Sequence, residues 1–375
     1  MWTLNRTVRT PSVEAMNVTY LRGASLAAFA SVLVGASFTA NSVLGDYPYA
    51  GGQALRYGLA ALLLLPLLNR AGEPPPADVL RGLTARQWGR LALLAAVGMV
   101  GFNLAVLAAE RSAEPAVPGV FVGCAPILVA VLVPLAAGRR PTRAVLSAAA
   151  LVAVGAFTVQ GWGQTDTAGI VFSVGALAGE VGFAVIAVPV LRPLGPKLLS
   201  ATVCAIAAAE STVLGLLVDG AGFVRVPTAG EAVALLWQAA VVTVIGFVCW
   251  YRGMQRIGAE RATLFLGLIP VAAALSAPLV GSGSYGIAQA VGSCLVGAGV
   301  AIGSGVLSRR SRERVADSAA GVEDHPGHQS RVVVHRDVTA AGKPDQPGTG
   351  DGVLGPDALA SQEEPVMAAP GDGHR

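Results

Sequence analysis

The sequence has few charged side chains, and those it has are concentrated at one end. Of its 375 residues, 13% are Asp, Glu, Lys or Arg, which is about half of the roughly 25% that soluble domains carry. Residues 308–375 hold 11 of the 23 acids, 8 of the 26 basic residues and all four histidines. The body that precedes them is too apolar for a set of soluble domains, and its composition also argues against a nucleic-acid-binding protein.

Histidine is absent from residues 1–307, and cysteine is scarce. Without histidine the body has no His-ligated metal, no Ser–His catalysis and no histidine proton relay. The four cysteines, Cys124, Cys204, Cys249 and Cys294, each lie in an apolar run, at spacings that suit neither a disulfide nor a CxxC metal site. The sequence therefore predicts no metal, no cofactor and no enzymatic activity.

Long apolar runs fill the body instead. A bilayer core of about 30 Å needs about 20 helical residues, and ten runs of that order can be marked. They lie at about 23–44, 49–68, 88–108, 116–137, 144–161, 168–190, 198–218, 230–250, 262–280 and 286–307. The sequence predicts an all-α polytopic membrane protein with ten transmembrane helices.

Lysine and arginine are unevenly distributed between these runs. The N-terminus, every second loop and the segment after the last run hold 19 of them, whereas the intervening loops hold only Arg111 and Arg225. The positive-inside rule assigns the rich side to the cytoplasm. We therefore expect a multi-pass protein of the cell membrane with both termini cytoplasmic. Residues 1–22 are its N-terminal segment, and the run that follows is too long for a removed signal peptide.

From residue 308 onward the chain is rich in Gly, Pro, Asp, Ser and Arg and shows no periodic apolar pattern. Such a segment cannot bury enough apolar surface to offset the entropy of ordering. Residues 308–375 are predicted to be a disordered cytoplasmic tail.

The body repeats itself at an offset of 144 positions. GVFVGCAPILVAVLVPL (119–135) aligns with TLFLGLIPVAAALSAPL (263–279), and both prolines of each segment coincide. Five spans fall in each copy, at 23–161 and 162–307. Because five is odd, the copies enter the membrane from opposite sides, as the inverted repeats of secondary transporters do. A channel or scaffold with duplicated halves is the alternative.

Three further stretches stand out: VGASF (34–38), ALRYGLAALLLL (54–65) and GAERATLFLGLIPV (258–271). Together with the proline-bearing segments, they resemble the EamA-type branch of the drug/metabolite transporter superfamily, over about 23–307. The resemblance implies ten helices in two five-helix repeats. It also implies transport, with export the expected direction, of small metabolites, amino acids or drugs, coupled to the proton gradient.

The sequence thus predicts a secondary active transporter whose partners are a small-molecule solute, protons and the lipid bilayer, with no nucleic acid. No nucleotide-binding motif supports ATP as the driving force. A non-transporting membrane partner or sensor that signals through the tail is the second hypothesis. A membrane enzyme is the third, and the spans hold neither the His nor the Asp that its catalytic sets need.

Ionisable side chains deep in a span are candidates for function, because each costs at least a few kcal/mol there. Glu180 and Glu210 lie about twelve residues into the sixth and seventh spans, near the midplane. These spans are consecutive and antiparallel, so the carboxylates are expected to approach each other, and a shared site of low dielectric favours protonation of at least one. They are the predicted proton carriers. The alternative is a structural hydrogen bond made by each protonated carboxyl group.

Arg56 lies about a third of the way down the second span from outside. It either neutralises one of the glutamates, holds the carboxylate of a solute or extends to the outer interface beside Tyr49 and Tyr57. The resemblance favours a role in the pathway, because an arginine followed by an aromatic residue is common at this point of the family.

Pro126 and Pro270 fall near mid-membrane at corresponding places of the two repeats. Proline removes a backbone donor, and paired interruptions point to a central site; a kink satisfied by neighbouring helices is the alternative. Weaker candidates for the cavity lining, or for hydrogen bonds between helices, are polar or aromatic side chains within the spans. These are Asn41, Asn103, Gln160, Trp237 and Gln238.

Pairs of glycines with three residues between them, such as Gly119/Gly123 and Gly299/Gly303, permit close packing of helices. They are expected to pack the bundle. Because such pairs also form dimer faces, a homodimer stays open.

Overall fold

The computed structural model describes residues 13–36, 43–44, 46–68, 74–113, 116–161, 164–276, 278 and 285–304. Asn41 and the tail 308–375 lie outside the described residues. Their expected roles therefore stay predictions.

Helices make up most of the described residues, which contain no strand, only the single bridge between Ala113 and Thr165. Eight helices in the described ranges are long and apolar enough to cross a bilayer. They are α1 (Val13–Ala36), α2 (Tyr49–Leu67), α3 (Ala85–Ala109), α4 (Val117–Ala136), α5 (Arg143–Gln160), α6 (Thr167–Val218), α7 (Ala229–Ile257) and α8 (Ala259–Ser276). The predicted class of an all-α polytopic membrane protein is confirmed, whereas the count of ten spans stays a prediction.

Three shorter elements complete the described helices. α9 (Ile287–Gly303) is apolar and follows α8. The helix Pro76–Arg81 and the 3-10 turn Gly220–Phe223 lie in the connections before α3 and α7.

Helix α6 contains a break in its backbone. At 52 residues it is more than twice as long as the roughly 20 residues that one crossing needs. Gly195 has φ +69° and ψ +168°, a left-handed conformation that glycine adopts without steric cost. It divides the helix into α6a (167–194) and α6b (196–218), each long enough for one crossing.

The second part of α6 runs antiparallel to α2. A Cβ on Gly58 would stand 3.8 Å from the Cβ of Ala208. Gly51, earlier in α2, and Gly215, later in α6b, both pack against Phe223. Because the earlier end of one helix meets the later end of the other, the two directions are opposite.

Interruptions of the helices recur at the 144-residue offset of the sequence. In α3 the segment Ala96–Gly101 is π-helical, and in α7 the π-helical segment is Trp237–Ile245. Adding 144 to the first range gives 240–245, which lies inside the second. In a π-helical turn the backbone bond runs between residues five apart rather than four.

The offset also relates helix starts and breaks. Thr84 begins α3 and Thr228 begins α7, each with a capping box completed three residues later by Gln87 or Glu231. α4 is broken at Cys124, and α8 changes from 3-10 to α-helical geometry at the corresponding place, before Leu268.

Glycines let α5 and α9 approach to backbone contact. A Cβ on Gly155 would stand 2.6 Å from the backbone N of Val296, and one on Gly299 would stand 2.9 Å from the backbone N of Val152. Positions 155 and 299 correspond at the 144-residue offset, and so do 152 and 296. The contact is therefore reciprocal, as it is across a two-fold axis.

Large apolar side chains point away from the bundle. Leu62, Leu217 and Ile287 are 64%, 79% and 85% exposed. Soluble proteins rarely expose contiguous apolar surface on this scale, whereas contact with lipid tails carries no such cost. The interior, by contrast, buries Tyr57 and Leu199 almost completely, against a core to which α6 contributes along most of its length.

Candidate functional site

A cavity of about 330 Å³ lies among the helices, and its size suits a small molecule. Side chains from all of α1 to α8 contribute to its walls. Most of its lining is apolar or aromatic, with a small polar set. The polar or ionisable lining residues are Ser31, Arg56, Tyr57, Asn103, Gln160 and Glu180.

Several residues that the sequence singled out meet in this cavity. Arg56 of α2, Asn103 of α3, Glu180 of α6a and Pro270 of α8 all line it. Gln160, at the end of α5, lines it too and packs its amide over Gly119.

Arg56 and Tyr57 form a unit held by both halves of the chain. The Arg56 Nε donates to the Thr243 Oγ1 at 2.9 Å, and the guanidinium carbon lies 5.2 Å from the centroid of the Tyr57 ring. The Asn103 amide donates to the Tyr57 hydroxyl oxygen at 3.2 Å and to the Met99 carbonyl at 2.7 Å. The guanidinium is thus held by contacts inside the bundle.

The two π-helical segments supply the anchors for this unit. The Thr243 hydroxyl donates to the Gln238 carbonyl, five residues earlier, at 2.8 Å. Met99, whose carbonyl accepts from Asn103, occupies the corresponding position of the other π-helical segment. Interruptions of this kind are frequent at functional sites.

Glu180 lies in the cavity wall. No hydrogen bond or ion pair joins its carboxylate to another described residue. Aromatic rings surround this part of the wall, with the centroid of Phe183 at 5.3 Å from that of Phe247 and 5.6 Å from that of Tyr251. Trp250 also lines the cavity, and its buried indole N–H has no acceptor in the described part of the chain.

Glu210 lies elsewhere. It is part of α6b, does not line the cavity, and its Oε2 is buried without a hydrogen-bond partner among the described residues. No hydrogen bond joins it to Glu180. The structure therefore brings Glu180 and Arg56 to one cavity and leaves Glu210 outside it.

The two prolines occupy matching positions in broken helices. Pro126 lies in the first turn of the segment Ala125–Ala136, and Pro270 in the first turn of Leu268–Ser276. A first-turn proline removes no hydrogen bond, because that N–H has no partner inside the helix. Pro270 lines the cavity, whereas Pro126 is buried beside it.

The remaining candidates lie away from the cavity. Trp237 is 42% exposed on the outer surface of α7, and Gln238 is buried and does not contribute to the lining. Gln238 takes part through its backbone, by accepting the bond from Thr243.

Sequence reasoning missed Thr243 and the aromatic lining. A threonine inside an apolar run is ordinary, because its hydroxyl can bond a carbonyl of its own helix. One signal was present in the sequence. Met99 and Thr243 are related by the 144-residue offset, and each is followed four residues later by a residue of the cavity lining, Asn103 or Phe247.

These features describe a bundle of apolar helices around a central cavity, and the comparisons with known proteins point to a transporter. Residues 21–160 match the EamA-like transporter family. The uncharacterized transporter YyaM of Bacillus subtilis (strain 168) is 25% identical over 286 residues, which cover 74% of this chain and 92% of YyaM. A solved crystal structure matches this chain with a TM-score of 0.60 at 20% identity, which is a likeness of fold alone. The match covers 75% of this chain and 96% of the chain in that structure.

The predicted resemblance to the EamA-type branch of the drug/metabolite transporter superfamily is confirmed over residues 21–160, the part of the chain that the family model matches. The match and the relative support a transporter of this type, which would bind a small-molecule solute and lipid.

Proposed function

We propose that the protein is a secondary active transporter that exports small metabolites, amino acids or drugs by alternating access, coupled to protons. One observation carries this proposal: Arg56 and Glu180, which come from different halves of the chain, line the same cavity. In a bilayer, ionisable groups at such depth mark pathways for solutes and protons.

Ten helices in two inverted repeats are part of the proposal. The break at Gly195 turns α6 into two crossings, and α9 adds one more to the eight long helices. The 144-residue offset relates the π-helical segments, the capping boxes and the reciprocal glycines of α5 and α9. Repeats of this type supply two equivalent states, open to opposite sides.

The protein is proposed to lie in the plasma membrane with both termini cytoplasmic, as its distribution of Lys and Arg indicates. With this orientation, the positions of the lining residues support an outward-open state. Val34, Pro118 and Gln160 line it within two residues of the ends of α1, α4 and α5 that the positive-inside rule assigns to the outside. At the other side the lining stops at Trp250 and Leu266, each seven residues before or after a helix end. That stretch closes the cytoplasmic side.

Glu180 is the proposed proton carrier of the cavity. Its carboxylate has no bonded partner in the described part of the chain and faces an apolar, aromatic wall. The charged form is costly in such surroundings unless a proton or a cationic group arrives. Glu210 is the second proposed carrier, because its buried Oε2 is unpaired as well.

The test is transport by purified protein in proteoliposomes, with a panel of labelled amino acids, organic cations and small drugs and an imposed pH gradient. Wild-type protein is expected to move at least one solute faster with the gradient than without it. Glu180→Gln should abolish the response to the gradient, and Glu210→Gln should weaken it. Asp78→Asn, which removes a carboxylate on the exposed helix Pro76–Arg81, is the matched control and should transport like wild type.

Unchanged rates and unchanged pH dependence in both glutamate variants would contradict the proposal. Removal of residues 308–375 separates it from a sensor that signals through its tail. A transporter keeps its flux without the tail.

A further inference from the structure

We propose that Thr243 is a positioning residue, which holds Arg56 so that its two terminal amino groups receive a carboxylate group of the transported solute. The proposal rests on the transport function proposed above. It adds a residue outside the cavity lining and names the chemical group that the solute presents to Arg56.

The hydrogen bonds of Thr243 fix the direction in which its oxygen points. A threonine hydroxyl has one proton and two acceptor lone pairs. The proton is committed to the Gln238 carbonyl at 2.8 Å, so the oxygen turns a lone pair toward the Nε of Arg56, 2.9 Å away. Thr243 is fully buried, so its side of the bond is shielded from bulk solvent.

The π-helical segment makes this arrangement available. In a regular α-helix the Gln238 carbonyl would accept from residue 242, four positions later, whereas in Trp237–Ile245 the bonds run five positions. The Gln238 carbonyl therefore stands under Thr243. The same segment turns Val242 into the cavity wall while Thr243 reaches α2.

Two neighbours thus hold Arg56, and its terminal nitrogens remain available to the cavity. Thr243 occupies its Nε, and the ring of Tyr57 lies 5.2 Å from its guanidinium carbon. Its Nη1 and Nη2 groups donate no hydrogen bond to any described residue, and Arg56 lines the cavity. Two parallel N–H donors in this fork match the two oxygens of a carboxylate.

Among the described residues, no carboxylate is paired with Arg56. Glu180 lines the same cavity, yet it forms no ion pair with Arg56 in the described structure, and Glu210 lies outside the lining. The positive charge of Arg56 therefore stays available to the solute. The apolar part of that solute would lie against Phe183, Phe247 and Trp250.

Binding of matched probes to detergent-purified, full-length protein tests the proposal by isothermal titration calorimetry. The probes are phenylacetate with phenylacetamide, and isovalerate with isovaleramide, which differ within each pair only in the carboxylate. Wild-type protein should bind at least one carboxylate about tenfold more tightly than its amide, since hydrogen bonds to charged groups are among the stronger ones. Thr243→Val should reduce this preference about fivefold or more and leave the affinity for the amide unchanged.

Two variants separate positioning from packing. Thr243→Ser keeps the hydroxyl and should keep the preference for the carboxylate. Thr158→Val, on α5, removes a hydroxyl that bonds only the Val154 carbonyl of its own helix, at 2.8 Å, and should behave like wild type. Thr243→Ala replaces Thr243→Val if the valine variant is not monodisperse after size-exclusion chromatography.

A wild-type protein that prefers neither carboxylate over its amide would overturn the proposal, and so would a Thr243→Val protein that keeps the preference. Equal loss in Thr243→Ser and Thr243→Val would overturn it too, because the hydroxyl would then not be the cause. Failure of transport in proteoliposomes with an intact binding preference would count against the proposed function alone.

Discussion

Two ion pairs near helix ends differ in how well they are shielded from water. Arg225 donates to both carboxylate oxygens of Glu231, at 2.5 and 2.8 Å, and the Glu231 side chain is 7% exposed. The Arg225 guanidinium also lies 4.8 Å from the ring centroid of Tyr47. The pair between Arg139 and Glu260 has one bond of 2.9 Å, and Arg139 is 61% exposed. A bidentate, shielded pair contributes more than a pair in water.

Arg225→Ala should therefore lower the midpoint of thermal unfolding more than Arg139→Ala. The first change leaves a carboxylate that is 7% exposed without two hydrogen bonds, whereas the second removes one hydrogen bond from Glu260, whose side chain is 16% exposed. Thermal unfolding in detergent, followed by the fraction of monodisperse protein, measures both. The double variant Arg225→Ala with Glu231→Gln should recover part of the loss; equal midpoints for the two single variants would contradict this argument.

At the same scale, the sequence located the polar residues of the cavity but not all of their neighbours. Arg56, Glu180 and Asn103 were found because charge and amide groups are rare in an apolar run. Thr243 was not found, because a hydroxyl inside a helix usually bonds its own backbone. It does so here as well, and its second bond, to Arg56, exists only through the packing of α7 against α2.

At the scale of helices, the contact between α5 and α9 depends on glycines that face each other. Gly299 has backbone atoms of α5 within 3 Å of the place where a Cβ would stand, whereas Gly297, on the same helix, has nothing within 4 Å. The two positions lie in the same helix, two residues apart, and differ in whether a Cβ would meet a neighbouring helix.

Gly299→Ala should destabilise the protein by about 1–3 kcal/mol, because the added methyl group forces the backbones apart. Gly297→Ala is the matched control and should stay within about 1 kcal/mol of wild type, with a gain from the higher helix propensity of alanine. Unfolding in a graded series of sodium dodecyl sulfate fractions measures both. A loss of the same size in Gly297→Ala would show that helix packing is not the cause.

The sequence predicted the positions of the helices better than their internal backbone geometry. Apolar runs at 49–68 and 144–161 correspond to α2 and α5 within a few residues. The sequence relates Ala96–Gly101 and Trp237–Ile245 by the 144-residue offset but does not predict their π-helical geometry, because no residue type encodes a bond between residues five apart. Packing against neighbouring helices selects that geometry.

At the scale of the whole molecule, the direction in which the cavity opens can be measured. Val122 of α4 lines the cavity, and Val154 of α5, at a similar distance from the outer helix ends, is 53% exposed on the outside of the bundle. One position faces the proposed water-filled path and the other faces lipid.

In a chain whose four cysteines are replaced by alanine, Val122→Cys should react with a membrane-impermeant maleimide added from outside the cell. Val154→Cys should not react, because a thiol in hydrocarbon does not ionise and the thiolate is the nucleophile. Mass spectrometry of the purified protein measures both. Labelling of Val122→Cys only after the membrane is made permeable would reverse the proposed orientation of the cavity.

The composition and the length of the apolar runs already place this protein in a bilayer and define its class. Lipid offers no hydrogen bonds to the backbone, and apolar runs of about 20 residues satisfy the backbone by spanning the bilayer as helices. The scarcity of charged side chains reduced the candidate residues to a few, among which Arg56 and Glu180 line the cavity.

The packing of the helices selects which of those residues meet. Glu180 and Glu210 have equal claims by depth and chemistry, yet one lines the cavity and the other does not. A helix that is apolar on all sides carries no periodic signal for the face it turns inward. That rotation is set by contacts such as those of Gly58 with Ala208 and of Gly179 with Phe102, which arise only when the helices pack.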